Sequence, residues 1–286
     1  MDVRRDGEFL RLGTLASRED GTLVAFFDAT YLKPFLANPK IAAVLTTPDL
    51  AHLVPAELAM AVTENPMAVF IELHFHLVET RFYWEDRPTV ISASAKVHTS
   101  TVIAENNVSI GRNVLIEPHV TIFEGVEIGD DTRIRAGSIL GNQHNERWTR
   151  HGVPVAVPHD GGVRVGRNVD IFCNAVIDRN IFNGTTDIGD GTMVCNLVNI
   201  GHGSKVGRRC VIRPTVMVCG FVLIGDDVDV APGVTISNGL VLGDGARVVI
   251  GETVTKDVPA HMVYVNRSTI SIERWEQIRL AKHRAD

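Results

Sequence analysis

His202 stands in the run NLVNIGHG, two residues after Ile200 and next to two glycines. An imidazole at a corner of the chain has the acid–base range to take a proton from a nucleophile near neutral pH. The plainer reading is a histidine in a surface turn, since the chain carries eleven, and by position alone that reading has precedence. Other reactive side chains form no recognisable set. Cys173, Cys195, Cys210 and Cys219 contain no C-x-x-C pair, so neither a zinc knuckle nor a disulfide scaffold is indicated. No metal site is expected.

The elements that must hold His202 announce themselves by period. Ile110, Ile116, Ile122, Ile128 and Ile134 recur every six residues. The phase resumes at Val165, Ile171 and Ile177, then runs without a slip from Ile188 through Val194, Ile200, Val206, Ile212, Val218, Ile224, Val230, Ile236 and Leu242 to Val248. A period of six is neither helical nor simply that of a strand, and it marks a parallel β-helix in which three short strands close each coil. Small or apolar residues two positions earlier, such as Val114, Ala175, Val198, Cys210 and Val216, share the inward face because strand side chains alternate. Cys210 is then a small buried hydrophobe. The fold class is therefore mainly β, a parallel β-helix. The position after Ile200 is a corner, which predicts an accessible His202 side chain.

Composition narrows the function classes. A chain of 286 residues has room for one large domain and a smaller one. Its net charge of -6 argues against nucleic acid as the main partner. The start, MDVRRDGEFL, lacks the apolar core of a signal peptide, and no apolar stretch is long enough for a membrane span. A cytoplasmic enzyme is the expectation.

Three segments break the repeat. Residues 1–88 read as a small α/β domain, with a strand at Gly21 to Phe27, a short helix at Ala29 to Ala37, a buried strand at Ile41 to Leu45 and a helix from Pro66 to His76. Within the β-helix of residues 89–258, the excursion 141–162, containing Trp148, His151, Pro154 and Pro158, must project as a loop, and long loops on rigid scaffolds often carry function. Residues 259–286 form a C-terminal extension, in which Ile270 to Arg284 has the spacing of an amphipathic helix fit to cap the prism or to pack on a neighbour.

The chain resembles the UDP-3-O-acylglucosamine N-acyltransferases of lipid A biosynthesis, within the left-handed β-helix hexapeptide acyltransferases. The likeness rests on LVAFFDATYLKPFLANPKIAAVLTTPDL and AVTENPMAVF in the first domain, on IDRN at 177–180, and above all on DIGDGTMVCNLVNIGHGSKVG at 187–207. It implies a left-handed β-helix, residues 1–88 as a uridine-binding domain, and transfer of an acyl group from a thioester to the amine of a UDP-linked amino sugar. His202 would be the general base. Gly220, eighteen residues on and stacked at the equivalent corner, would offer its amide to the oxyanion; a glycine that simply turns the chain is the plainer reading. Asn196 would position substrate or orient His202, or else bond its own corner backbone. Asp178 and Arg179 match the same motif, with a corner salt link as the alternative. Tyr31 matches the tyrosine that stacks on uracil, and Asp28 stands where the family has an asparagine.

The resemblance also implies a homotrimer with no tightly bound cofactor. Its cosubstrate would be the phosphopantetheine thioester of acyl carrier protein, an acidic partner for which Arg208, Arg209, Arg213 and the tail offer a basic patch. Departures from the family pattern leave an alternative open, an acetyl-CoA-dependent N-acetyltransferase of another nucleotide-linked amino sugar. The opposing aromatic of the uracil site is Ala25, a second family histidine falls at Gly239, the strand of the acyl groove becomes GETV at 251–254, and TKDVPAHMVYV resembles the closing segment of sugar acetyltransferases. A zinc hydratase of the γ-carbonic anhydrase type needs paired histidines at a spacing that this prism lacks. A non-catalytic prism is opposed by the motif around His202.

Overall fold

The computed structural model describes residues 1–144, 146–150 and 152–282. His151 and the last two residues of the anticipated terminal helix lie outside these.

Two compact units divide the chain. Residues 1–85 form one unit together with 145–160 and 181–184. Its five-stranded sheet runs in the order Asp2–Arg5, Ala59–Val62, Ile41–Thr46, Thr22–Phe26, Arg11–Leu12, and only the first pair is antiparallel. The strand Thr22–Phe26 and the helix Pro66–Glu79 match the sequence reading, the helix running three residues longer. Asn65 caps that helix by accepting from the Ala68 amide at 3.0 Å, and Pro66 occupies its first turn, where no N–H is needed. The strands Asp2–Arg5 and Ala59–Val62 were not apparent in the sequence. Phe26 is fully buried and stacks on Phe35 at 4.6 Å.

The excursion is no bare loop. Arg147–Arg150 and Val153–Ala156 pair as an antiparallel hairpin, with Trp148 opposite Val155. Residues in and after the hairpin are tied into the first unit: His74 Nε2 lies 2.7 Å from the Pro158 carbonyl, the Trp84 indole donates to Asp160 Oδ1 at 2.6 Å, and Arg150 pairs with Glu72 at 2.8 Å.

The second unit, residues 86–144, 161–180 and 185–286, is the parallel β-helix. Its sheets of ten, eight and eight strands stack strands of mostly two residues. Ile110 pairs with Ile128 and Ile200 with Val218, one coil on, and each phase residue is buried in a single aliphatic core. Where the repeat breaks, the ladder stays in register: Ile128 pairs with Val165, and Val165 with Ile188. The extra residues are extruded at corners, and the core is undisturbed. The prism's far end is closed differently from expectation. A hairpin, Met262–Val265 with Ser268–Ser271, continues one sheet, Tyr264 is buried with its hydroxyl donating to the Thr253 carbonyl at 3.2 Å, and the helix starts only afterwards at Ile272.

Candidate active site

The corner after Asn199–Ile200 carries His202, and the coils on either side enclose it. His202 is 6 % exposed, which corrects the expectation of an accessible side chain. The cover comes from residues distant in sequence. Phe221, at the stacked corner of the next coil, meets the imidazole edge-on at 4.9 Å between centroids, and His144 from the excursion's root lies 5.6 Å away. Phe221 holds this place at φ 57°, a left-handed conformation unfavourable for a bulky side chain. Burial, and next the neighbouring His144, lower the His202 pKa from 6.5 to about 4. The imidazole is neutral at physiological pH, the form that accepts a proton.

Gly220 lies directly beneath that ring. A Cβ built there would fall 2.2 Å from His202 Cε1 and 2.5 Å from Nε2. Its φ is not in the left-handed region, so the glycine is required for the close approach of the imidazole and not for the turn. Its amide is already engaged, donating to Asn238 Oδ1 at 2.9 Å. The expected oxyanion donor is thus occupied here, and serving that role would require the Asn238 amide to turn away.

Asp178 is fully buried and is brought to this corner by the register that sets it opposite Asn142. Its carboxylate accepts from Asn142 Nδ2 at 2.8 Å, lies 3.1 Å from His144 Nδ1 and is bonded by the Asn199 side chain. Burial raises its pKa, against which those hydrogen bonds and the His144 charge pull downward. Arg179 is not its partner: the guanidinium donates to the Gly141 carbonyl at 3.0 Å and to the Glu124 carbonyl. The corner salt link is therefore absent: the Asp178 carboxylate is held by Asn142 and His144, and the Arg179 guanidinium by backbone carbonyls. Asn196 comes near the plainer of its two readings, with the bond made to the neighbouring coil's backbone. It is exposed, and its Oδ1 accepts from the Cys173 amide at 3.0 Å, an ordinary coil-to-coil corner bond. Asn199, three residues on, holds the site in its place.

The structure thus gathers His202, Gly220 and Asp178 and adds His144, Asn142, Asn199 and Phe221, none of them singled out from sequence. The usable signal was the stacking of Asn142 on Asp178 across the excursion. Tyr31 and Asp28 belong to the other unit. Tyr31 is 54 % exposed at the end of a single helical turn, and Phe27 nearby is 47 % exposed, whereas Phe26 is core. Asp28 caps that turn, its Oδ1 accepting from the Thr30 amide at 2.8 Å, and this bond lowers its pKa.

The basic patch is largely neutralised. Arg208 pairs with Asp226 at 2.9 Å, Arg209 with Asp227 at 2.7 Å and Arg213 with Asp229 at 2.8 Å. These arginines form ladders between coils instead of an open cationic face. Among the described residues no helix is long and apolar enough to cross a membrane.

Residues 107–142 match the model of the bacterial transferase hexapeptide (six repeats) family. A UDP-3-O-acylglucosamine N-acyltransferase of Methylobacillus flagellatus is 29 % identical over 87 % of this chain and 77 % of its own length. That of Bordetella pertussis is 24 % identical over 86 % of this chain and 77 % of its own. Among solved structures, a UDP-N-acetylglucosamine acyltransferase from Campylobacter jejuni aligns over 64 % of this chain and 81 % of its own with a TM-score of 0.48 and 17 % identity.

Proposed function

We propose that this chain, which matches the bacterial transferase hexapeptide model over residues 107–142 and is similar along most of its length to UDP-3-O-acylglucosamine N-acyltransferases, moves an acyl group from a thioester to the amine of a UDP-linked amino sugar. The observation that carries the reading is His202, held neutral by burial and seated on Gly220 within the NLVNIGHG motif. A neutral imidazole takes the amine proton as the nitrogen attacks the thioester carbonyl, so that the nucleophile is never both attacking and charged. Gly220 lets the ring lie flat against the backbone, and its amide, once released by Asn238, serves the oxyanion. Tyr31 and the exposed Phe27 supply aromatic faces for the uracil ring, with Asp28 beside them.

The assembly we propose is a cytoplasmic homotrimer with the acyl donor as a diffusible cosubstrate and no resident cofactor. The donor is the finer question. The pairing of Arg208, Arg209 and Arg213 with aspartates removes much of the cationic surface an acidic carrier protein would seek. It therefore favours a second reading, in which the donor is acetyl-CoA and the acceptor a different nucleotide-linked amino sugar. Supplying UDP-3-O-acylglucosamine and a set of other UDP-amino sugars, each with hydroxyacyl carrier protein or with acetyl-CoA, separates the two. Transfer from the carrier alone supports the first reading, and transfer from CoA alone supports the second. Absence of transfer from both, to this and other UDP-amino sugars, contradicts the proposed activity.

A further inference from the structure

Resting on the N-acyltransferase reading, we infer that His144 and Asp178 form a proton exit for His202, carrying to solvent the proton that the acceptor sheds before it attacks. The need arises from the reaction itself. A sugar amine enters largely as its ammonium near neutral pH. Forming the C–N bond and breaking the C–S bond converts ammonium and thioester to amide, thiol and one free proton. One N–H proton passes through His202 to the departing thiolate sulfur; the other must leave the site.

His202 is poorly placed to release it, being 6 % exposed beneath Phe221. His144 is placed for that task. Its ring centroid is 5.6 Å from that of His202, tilted by 48°, and its side chain is 43 % exposed. Its Nδ1 faces Asp178 Oδ2 at 3.1 Å, and that fully buried carboxylate is fixed in turn by Asn142 Nδ2 at 2.8 Å and by Asn199. Nδ1 is the ring nitrogen beside the carboxylate, which leaves Nε2 to take part in the relay, so that a proton held on His144 lies next to Asp178. The first proton goes from ammonium to His202 Nε2 or Nδ1, on to His144 directly or through one water, and then to solvent. The second follows nitrogen attack, moving to His202 and then to the thiolate. Every group returns to its starting state.

The test uses the whole chain with the thioester and UDP-amino sugar that it turns over, the donor being hydroxyacyl carrier protein or acetyl-CoA. His144→Ala and His144→Gln are compared with the unaltered protein at fixed pH and rising imidazole concentration. The expected result is a kcat lowered roughly tenfold or more with KM little changed, restored by imidazole in His144→Ala and unresponsive to imidazole in the unaltered protein. Asp178→Asn should show a weaker form of the same defect. Full activity in both His144 variants, or a loss that imidazole does not restore, overturns the proton exit; the second outcome marks His144 as a structural support of the corner. No transfer by the unaltered protein with either donor, to UDP-3-O-acylglucosamine or to other UDP-amino sugars, overturns the acyltransferase reading itself, and the exit with it.

Discussion

Substituting Gly220 by alanine tests the seat of His202 with a single methyl group. The added carbon would lie 2.2 Å from Cε1, 2.5 Å from Nε2 and 2.8 Å from Nδ1 of His202, whereas ordinary contacts begin at 3.4 Å. The ring must retreat by roughly an ångström, and it has little room because Phe221 and His144 stand against it. Misplacing a catalytic base by about 1 Å costs on the order of 10²-fold in rate, and the crowding costs about 1–3 kcal/mol of stability. Because φ at Gly220 is outside the left-handed region, the backbone itself accepts alanine, so the effect reports the clash alone. Gly239→Ala is the control: φ there is +70° with nothing within 4 Å of an added Cβ, so it strains the backbone by about 1 kcal/mol without touching the imidazole. The assay is steady-state acyl transfer together with thermal unfolding of both variants. Gly220→Ala should lose kcat by about two orders of magnitude while Gly239→Ala keeps its rate. Turnover of a folded Gly220→Ala within twofold of the unaltered protein would refute the idea that His202 works from this seat.

Protonation of His202 supplies a second check. Its folded pKa of about 4 lies below the 6.5 of the free side chain, so its contribution to stability is complete above pH 6.5 and lost as the pH falls from there toward 4. The loss amounts to about 3 kcal/mol, and denaturant unfolding should show the His202→Gln variant less acid-sensitive by that order; identical pH dependence would contradict the burial argument. Phe221→Gly relieves the left-handed backbone but uncovers the ring, and an NMR titration should find the His202 pKa raised from its value of about 4. Tyr31→Ala should weaken UDP-sugar binding several-fold, by about 1 kcal/mol of aromatic contact, with the β-helix melting unchanged; calorimetric binding at unaltered affinity would remove the uracil role. Sedimentation at micromolar concentration should give the mass of a trimer, and a monomer would contradict the proposed assembly.

The β-helix was legible because its cause is local and periodic: each phase residue from Ile110 to Val248 is buried at the expected turn of the coil. The interruptions were legible too, as extra residues extruded at corners while Ile128 still met Val165. The surroundings of His202 were not. Local position placed it at a corner, but its cover comes from Phe221 a coil away and His144 at the root of the excursion, and neither relation is visible in a window of sequence. A motif match does not say which way a corner side chain turns, and Asn196 turns to the Cys173 amide. The arginine ladder carried an overlooked signal: Arg208 with Asp226, Arg209 with Asp227 and Arg112 with Asp130 are each eighteen residues apart, one coil. Opposite charges spaced by one coil length stack at the same corner, so the period that places the aliphatic core also pairs these side chains. The strands at Asp2–Arg5 and Ala59–Val62 were missed because their short runs carry no alternation strong enough to stand apart from loops.

The central claim, acyl transfer to an amine with His202 as its base, is tested most directly by mass-spectrometric detection of N-acylated UDP-amino sugar in a single turnover. The unaltered protein and His202→Gln would be compared after equal folding has been verified. Amide product is expected from the unaltered protein, with a rate lower by about 10²–10⁴-fold in the variant. Equal rates in the two proteins, or no amide product from the unaltered protein with either thioester, would contradict it.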